Sequence, residues 1–156
     1  MMKSTGIIMF TIGFILFPCF LAFAVERCIM CGMDTQKSET KFTVQITEGT
    51  KEVPSGEYSF CCLHCLVLLK ARIKGGKIDS IMVRDYNTVT HKYDSGDMID
   101  ARKAFYLVES RLRPKGSMVP FMLVFSAQET AETFQEVYGG RVLDWEGIWK
   151  YTQAHK

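Results

Sequence analysis

The stretch Glu57–Ile78, EYSFCCLHCLVLLKARIKGGKI, decides the fold, because Met122–Val142, MLVFSAQETAETFQEVYGGRV, follows the same plan. The first opens as a short strand ending at Phe60. It then turns helical, with Cys62, Cys65, Leu66, Leu69 and Ile73 at helical spacing, and stops at Gly75-Gly76. The second opens as a strand ending at Phe125, after which Ser126 with Glu129 three residues on reads as a capping box. Its apolar stripe is Ala127, Ala131, Phe134 and Tyr138, before Gly139-Gly140 and another strand. Phe60 to Gly75 is fifteen positions and Phe125 to Gly139 is fourteen, so one unit is used twice.

Working outward strengthens the repeat. KFTVQI puts Phe42, Val44 and Ile46 on one face of a half-buried strand, and GTK offers a turn into a partner strand. In the second half, YDSGDMIDA holds a turn at Ser95-Gly96, and AFYLVES is a short apolar segment readable as helix or strand. IDSIMVRDY and RVLDW are the returning strands. The expected fold is α+β, two small lobes of β-β-α-β type related as an internal repeat. The cysteine-rich lobe covers residues 25–90; the second covers 91–156 and ends in a short helix within EGIWKYTQAH. The alternative is a single mixed sheet with coincidental Gly-Gly ends.

Residues 1–24, MMKSTGIIMFTIGFILFPCFLAFA, carry one lysine, then an apolar run from Gly6 to Phe23 and an A-x-A ending. This reads as a secretory signal cut after Ala24; the alternative is an uncleaved single-span anchor. A periplasmic or otherwise extracytoplasmic location follows, membrane-anchored if the signal stays. Cys19 and Cys28 lack the small residues that precede a lipidated cysteine, so no lipoprotein is expected. The formal net charge of +2 drops to +1 with Lys3 gone, which gives no reason to expect nucleic acid as a partner.

Without Cys19 five cysteines remain: Cys28, Cys31, Cys61, Cys62 and Cys65. An odd number in an exported chain leaves at least one thiol unpaired, and none lies beyond residue 65 to staple the second half. The repeat aligns Cys61 with Ser126, so Cys61 is expected to cap its helix as a thiolate of lowered pKa. Cys61 and Cys65 are i and i+4, Cys62 and Cys65 are i and i+3, and either pair can aim at one atom.

RCIMCGM, Arg27–Met33, is the second sulfur cluster. Four chemistries fit the two together. Cys28-x-x-Cys31 with Cys62-x-x-Cys65 has the form of a structural zinc clip. A strand leading to C-x-x-C on a helix is also the arrangement of a thiol-disulfide oxidoreductase, for which Val119-Pro120 would imitate the cis-proline. The third is a plain structural disulfide. The fourth is a soft metal, since Cu(I) prefers thiolate and thioether, and Met30, Met33 and Met118 lie in or beside suitable motifs. His64 could join the ligands or simply lie on the surface; His91 and His155 have no ligand-like surroundings. No Ser-His-Asp order, paired-carboxylate motif, Walker loop or dinucleotide fingerprint appears, so the cysteine pairs are the one plausible catalytic feature and the oxidoreductase stays the runner-up to a metal carrier.

C-x-x-C-G-M near the start, the aromatic-Cys approach to a helix, YDSGDMIDARKAFYLVES, the GSM loop, an F-S-x-x-x-A-x-x-F helix and YGGRVLDW occur in order from Cys28 to Trp145. This ordered set resembles the nitrous oxide reductase accessory protein NosL family. The resemblance implies two β-β-α-β lobes and an exported Cu(I)-binding metallochaperone that serves assembly of the copper-sulfide centre of nitrous oxide reductase. Its partners would be a copper donor and that metalloenzyme client, the chain itself being a monomer or weak homodimer. The family motif falls on Cys28, Cys31, Met33 and Met118 as leading ligands, with Cys61, Cys62 and Cys65 completing the candidates. Asp100 and Ala104 match as well, Asp100 as a helix cap. Zn(II) is the alternative ion. FCCLHC also resembles small heavy-metal modules that bind and traffic zinc or mercury.

Overall fold

The computed structural model describes residues 26–88 and 96–155. The expected signal segment, Ser95 of the expected turn and His91 lie outside the described residues. Among those described, no helix is long and apolar enough to cross a membrane.

The first unit runs β1 (Phe42–Glu48), β2 (Gly56–Phe60), α1 (Leu63–Arg72) and β3 (Lys77–Arg84). β1 buries Phe42, Val44 and Ile46 and leaves the residues between them half-buried, as strict alternation requires when one face of a strand meets a core. It pairs antiparallel with β2 on one side, Phe42 opposite Phe60, and with β3 on the other, Phe42 opposite Val83. β4 (Met98–Asp100) extends this sheet beyond β3, giving the order β2-β1-β3-β4. β4 follows the undescribed segment, yet it completes the sheet of the first half.

The second unit runs β5 (Phe105–Val108), β6 (Met122–Phe125), α2 (Gln128–Tyr138) and β7 (Arg141–Leu143), and α3 (Trp145–Ala154) follows. Its sheet has the order β6-β5-β7, all antiparallel. The first strand of each unit lies in the middle, with its hairpin partner on one flank and the strand returning from the helix on the other. The fold is α+β with two β-β-α-β units of matching topology. AFYLVES, readable either way in sequence, is the central strand of the second sheet.

β5 and β6 are buried on both faces, which removes the polar alternation that would have marked them as strands. Tyr106, Val108, Met122 and Val124 join Phe42, Phe60, Leu66 and Ile148 in one continuous core. Leu107, Leu123 and Phe125 point the other way and form a second cluster with Ala131, under α2. The units therefore share a core as well as a pattern.

Two expectations at the helix starts need correction. The N-cap of α1 is Cys62, not Cys61, and that of α2 is Ala127, not Ser126; neither makes a side-chain capping hydrogen bond. Both helices begin one residue later than read, so Cys61 and Ser126 occupy the position before the cap, and a hydroxyl there does not take the capping role. Ala127, read as part of the α2 stripe, is exposed at the cap, and that stripe starts at Ala131. The cap expected of Asp100 is present: its carboxylate accepts from the Arg102 amide at 2.9 Å and starts a single 3-10 turn over Ala101–Lys103. Asp144 caps α3 in the same way, accepting from the Gly147 amide at 2.7 Å.

Candidate metal centre

The first sulfur motif is a tight loop. The Cys28 amide donates to the Met33 carbonyl and the Gly32 amide to the Cys28 carbonyl, each at 2.8 Å, and Gly32 takes φ +74°, where glycine avoids the Cβ clash other residues meet. This turn sends Cys28 inward, 2% exposed, and leaves Cys31 exposed. Met30 and Met33 are half-buried against the main core. The Ile29 amide donates to the Ser59 carbonyl on β2, which fixes the loop beside the second motif.

Glu26 anchors the entry to this loop. Its carboxylate accepts from Lys41 Nζ at 2.6 Å and from the Ser59 hydroxyl, and its carbonyl accepts from both the amide and the hydroxyl of Thr35. Burial alone would raise the Glu26 carboxyl, but the Lys41 and Ser59 hydrogen bonds and the charges of Lys41 and Arg84 hold it below its usual value.

The second motif continues from β2. Phe60, Cys61 and Cys62 are fully buried, and Cys65 faces inward from the first turn of α1. The Cys61 carbonyl accepts two buried hydroxyls, Ser38 Oγ at 2.7 Å and Thr40 Oγ1 at 2.9 Å. Those bonds set the peptide from which the Cys61 side chain departs.

The thiols converge. Cys31 Sγ lies 3.5 Å from Cys61 Sγ, which is 3.8 Å from both Cys62 Sγ and Cys65 Sγ. The sulfurs of Cys28, Cys31, Cys61 and Cys65 all lie within 4.8 Å of one another. All five thiols are free. For comparison, a tetrahedral ion with metal–sulfur bonds of about 2.3 Å sets its sulfurs roughly 3.8 Å apart, close to the Cys31–Cys61 and Cys61–Cys65 separations, so the quartet could hold one ion.

Charge is divided unevenly within the cluster. Hydrogen bonds from the Cys61 and Cys65 thiols push Cys28 down, and those same two thiols push Cys62 down. Cys61 is raised by its bonds to Cys28 and Cys62, and Cys65 by its bonds to Cys28, Cys61 and Cys62. Cys61, expected to be lowered at the helix start, is raised, and Cys62 is lowered instead. Cys62 is the residue at the cap, and the Cys65 and Met118 amides favour charge on its sulfur.

The GSM loop reaches the cluster from the second unit. Lys115 and Glu39 exchange backbone and side-chain hydrogen bonds, and Gly116, at φ +65°, lies so close to Ser38 that a Cβ would sit 2.8 Å from its Cα. Met118 is half-buried against the core that contains Cys28, Cys61, Cys62 and Cys65, and the Val119–Pro120 peptide is cis. Met33 also packs on that core. His64 stands outside the quartet, half-buried, with its Nδ1 lacking a hydrogen-bond partner. His155 Nδ1 meets the Tyr151 carbonyl at 2.8 Å near the end of α3. The sequence reading missed Glu26, Ser38, Lys41 and Thr40, which position the site without bearing sulfur; no local spacing marks them.

The family model NosL matches residues 23–152. No curated protein matches the chain. Among solved structures, the crystal structure of the copper chaperone NosL from Shewanella denitrificans is 22% identical, covering 78% of this chain and 87% of its own, with a TM-score of 0.59, which shows a common fold. The solution NMR structure of apo-NosL from Achromobacter cycloclastes is 26% identical over 66% of this chain and 82% of its own, with a TM-score of 0.43.

Proposed function

Since this chain belongs to the NosL family, we propose that it is an exported Cu(I) carrier, not an enzyme, that passes copper to a partner metalloenzyme. The observation that carries this reading is the quartet of free thiols, three of them buried and one exposed, with all sulfurs within 4.8 Å. Cu(I) is a soft ion that two or three thiolates satisfy, and Met33 or Met118 supplies a weaker thioether beside them. Exposed Cys31 is the point of exchange: a partner thiolate bonds to the ion as the Cys31 bond breaks, and the buried sulfurs follow. No electron moves in these steps.

The segment 1–24 supports export to the periplasm or an equivalent compartment. Nitrous oxide reductase, with its copper-sulfide centre, is the client this reading favours, and the S. denitrificans relative carries the description copper chaperone. A structural zinc clip is the second reading, because the quartet's spacing also suits a tetrahedral ion. It leaves Cys62 and the flanking methionines without a role.

Anaerobic titration of the reduced protein with Cu(I) and with Zn(II), each against a chelator of known affinity, separates the two. The carrier reading requires tight Cu(I), loose Zn(II), and loss of tight Cu(I) binding in Cys28→Ser/Cys31→Ser. Tight zinc that locks the fold would make the quartet a clip. Unchanged Cu(I) affinity in the double variant, with loss of dithiol reductase activity, would favour the oxidoreductase.

A further inference from the structure

Five thiols are more than one Cu(I) ion uses, and their arrangement divides into two sets that share an edge. The quartet is Cys28, Cys31, Cys61 and Cys65. Cys62 stands outside it, yet its sulfur is 3.8 Å from that of Cys61. Cys61 and Cys65 are themselves 3.8 Å apart, and Cys62 and Cys65 lie three positions apart at the start of α1, so the three sulfurs form a second set around Cys61 that shares the Cys61–Cys65 pair with the quartet.

We propose, resting on the carrier reading above, that the protein holds two Cu(I) ions bridged by the Cys61 and Cys65 sulfurs, with Cys62 the ligand belonging to the second ion alone. Thiolate sulfur has lone pairs for two metals, and Cys61 has three thiol neighbours at 3.5–3.8 Å. Cys61, Cys62 and Cys65 are at most 1% exposed, so a lone ion among several thiolates would leave uncompensated negative charge out of water. A second cation offsets it. Each ion enters as Cu(I), the S–H bonds of its ligands break, the protons leave to solvent, and copper and sulfur keep their oxidation states. A buried cysteine is ordinarily a small apolar side chain; Cys62 differs in having the Cys61 sulfur 3.8 Å away.

The test is anaerobic Cu(I) titration of the reduced protein against a competing chelator, with X-ray absorption on the loaded sample. Two equivalents and a copper–copper scattering shell are expected. Cys62→Ala, chosen because it buries no hydroxyl, should bind one equivalent and lose that shell while keeping the first ion. A single equivalent without copper–copper scattering in the unmodified protein overturns the proposal and leaves the carrier standing, and needs no variant to fold. Two equivalents retained by Cys62→Ala overturns the role of Cys62. Failure to bind Cu(I) at all overturns both.

Discussion

Ser38 and Thr40 hold the peptide that aims Cys61 into the cluster, and their removal tests whether the site is built by hydroxyls outside the sulfur motifs. Both are fully buried, and both donate to the Cys61 carbonyl, at 2.7 and 2.9 Å. Thr40→Val keeps the shape and removes one donor, leaving the carbonyl satisfied by Ser38, at a cost of about 1 kcal/mol. Ser38→Ala removes the other donor and also the acceptor for the Thr40 amide, 3.2 Å away, so about 2 kcal/mol is expected. The double variant strips the carbonyl of both hydroxyls while it stays buried, adding a desolvation cost of about 1–3 kcal/mol. The total should exceed the sum of the singles by at least roughly 1 kcal/mol, a coupling that neighbours sharing one acceptor are expected to show. Urea unfolding of the reduced, metal-free proteins, followed by Trp145 and Trp149 fluorescence, measures the cycle. Simple additivity, or singles that cost nothing, would refute the claim that these two hydroxyls jointly satisfy that carbonyl.

Three other outcomes follow from the same geometry. Glu26 has its folded pKa held below the unfolded value of about 4.3. Its contribution is fully present above that unfolded value and is lost as pH falls through the folded one. The stability gap between the native protein and Glu26→Gln should therefore be constant near neutrality and shrink below about pH 4; a gap independent of pH would mean the carboxylate charge is irrelevant. Gly116 and Gly75 both have positive φ, but a Cβ at Gly116 would lie 2.8 Å from the Lys37 carbonyl oxygen and the Ser38 Cα, whereas Gly75 faces open space. Gly75→Ala should cost about 1 kcal/mol, and Gly116→Ala about 1–3 kcal/mol more; equal denaturant midpoints would show that the GSM loop is not packed on Ser38. Cys31 is the one exposed thiol of the five, so a brief iodoacetamide pulse read by mass spectrometry should label it first, and Cu(I) loading should suppress that label. Earlier labelling of Cys62 would mean that its sulfur is open to solvent.

Local periodicity was enough to mark the helices and most of the strands, to suggest that one β-β-α-β unit occurs twice, and to show that its first copy carries the sulfur; AFYLVES stayed readable either way. Phe42, Val44 and Ile46 alternate in sequence because one side of β1 meets the core, and that signal survives without knowing what the core contains. Asp100 was legible as a cap for the same reason: capping is a contact over two or three residues. The exact start of each helix was not, since one residue of extended backbone at Cys62 and Ala127 leaves no compositional trace. That offset puts Cys62, not Cys61, at the cap of α1.

Strand pairing decided what spacing could not. Cys31 and Cys61 are thirty residues apart and reach 3.5 Å because the Glu26 and Ile29 contacts pin the first loop to β2, next to the point where α1 begins. Met118 comes beside them only because Gly116 allows its loop to lie against Ser38. β5 could be identified as a strand only once both its faces were covered, one by the shared core and the other by the cluster under α2. Ligand type is a property of residues and can be read along the chain. Whether two sulfur clusters make one site is a property of register and packing between distant segments, and the tertiary structure alone brings them within bonding range of a single ion.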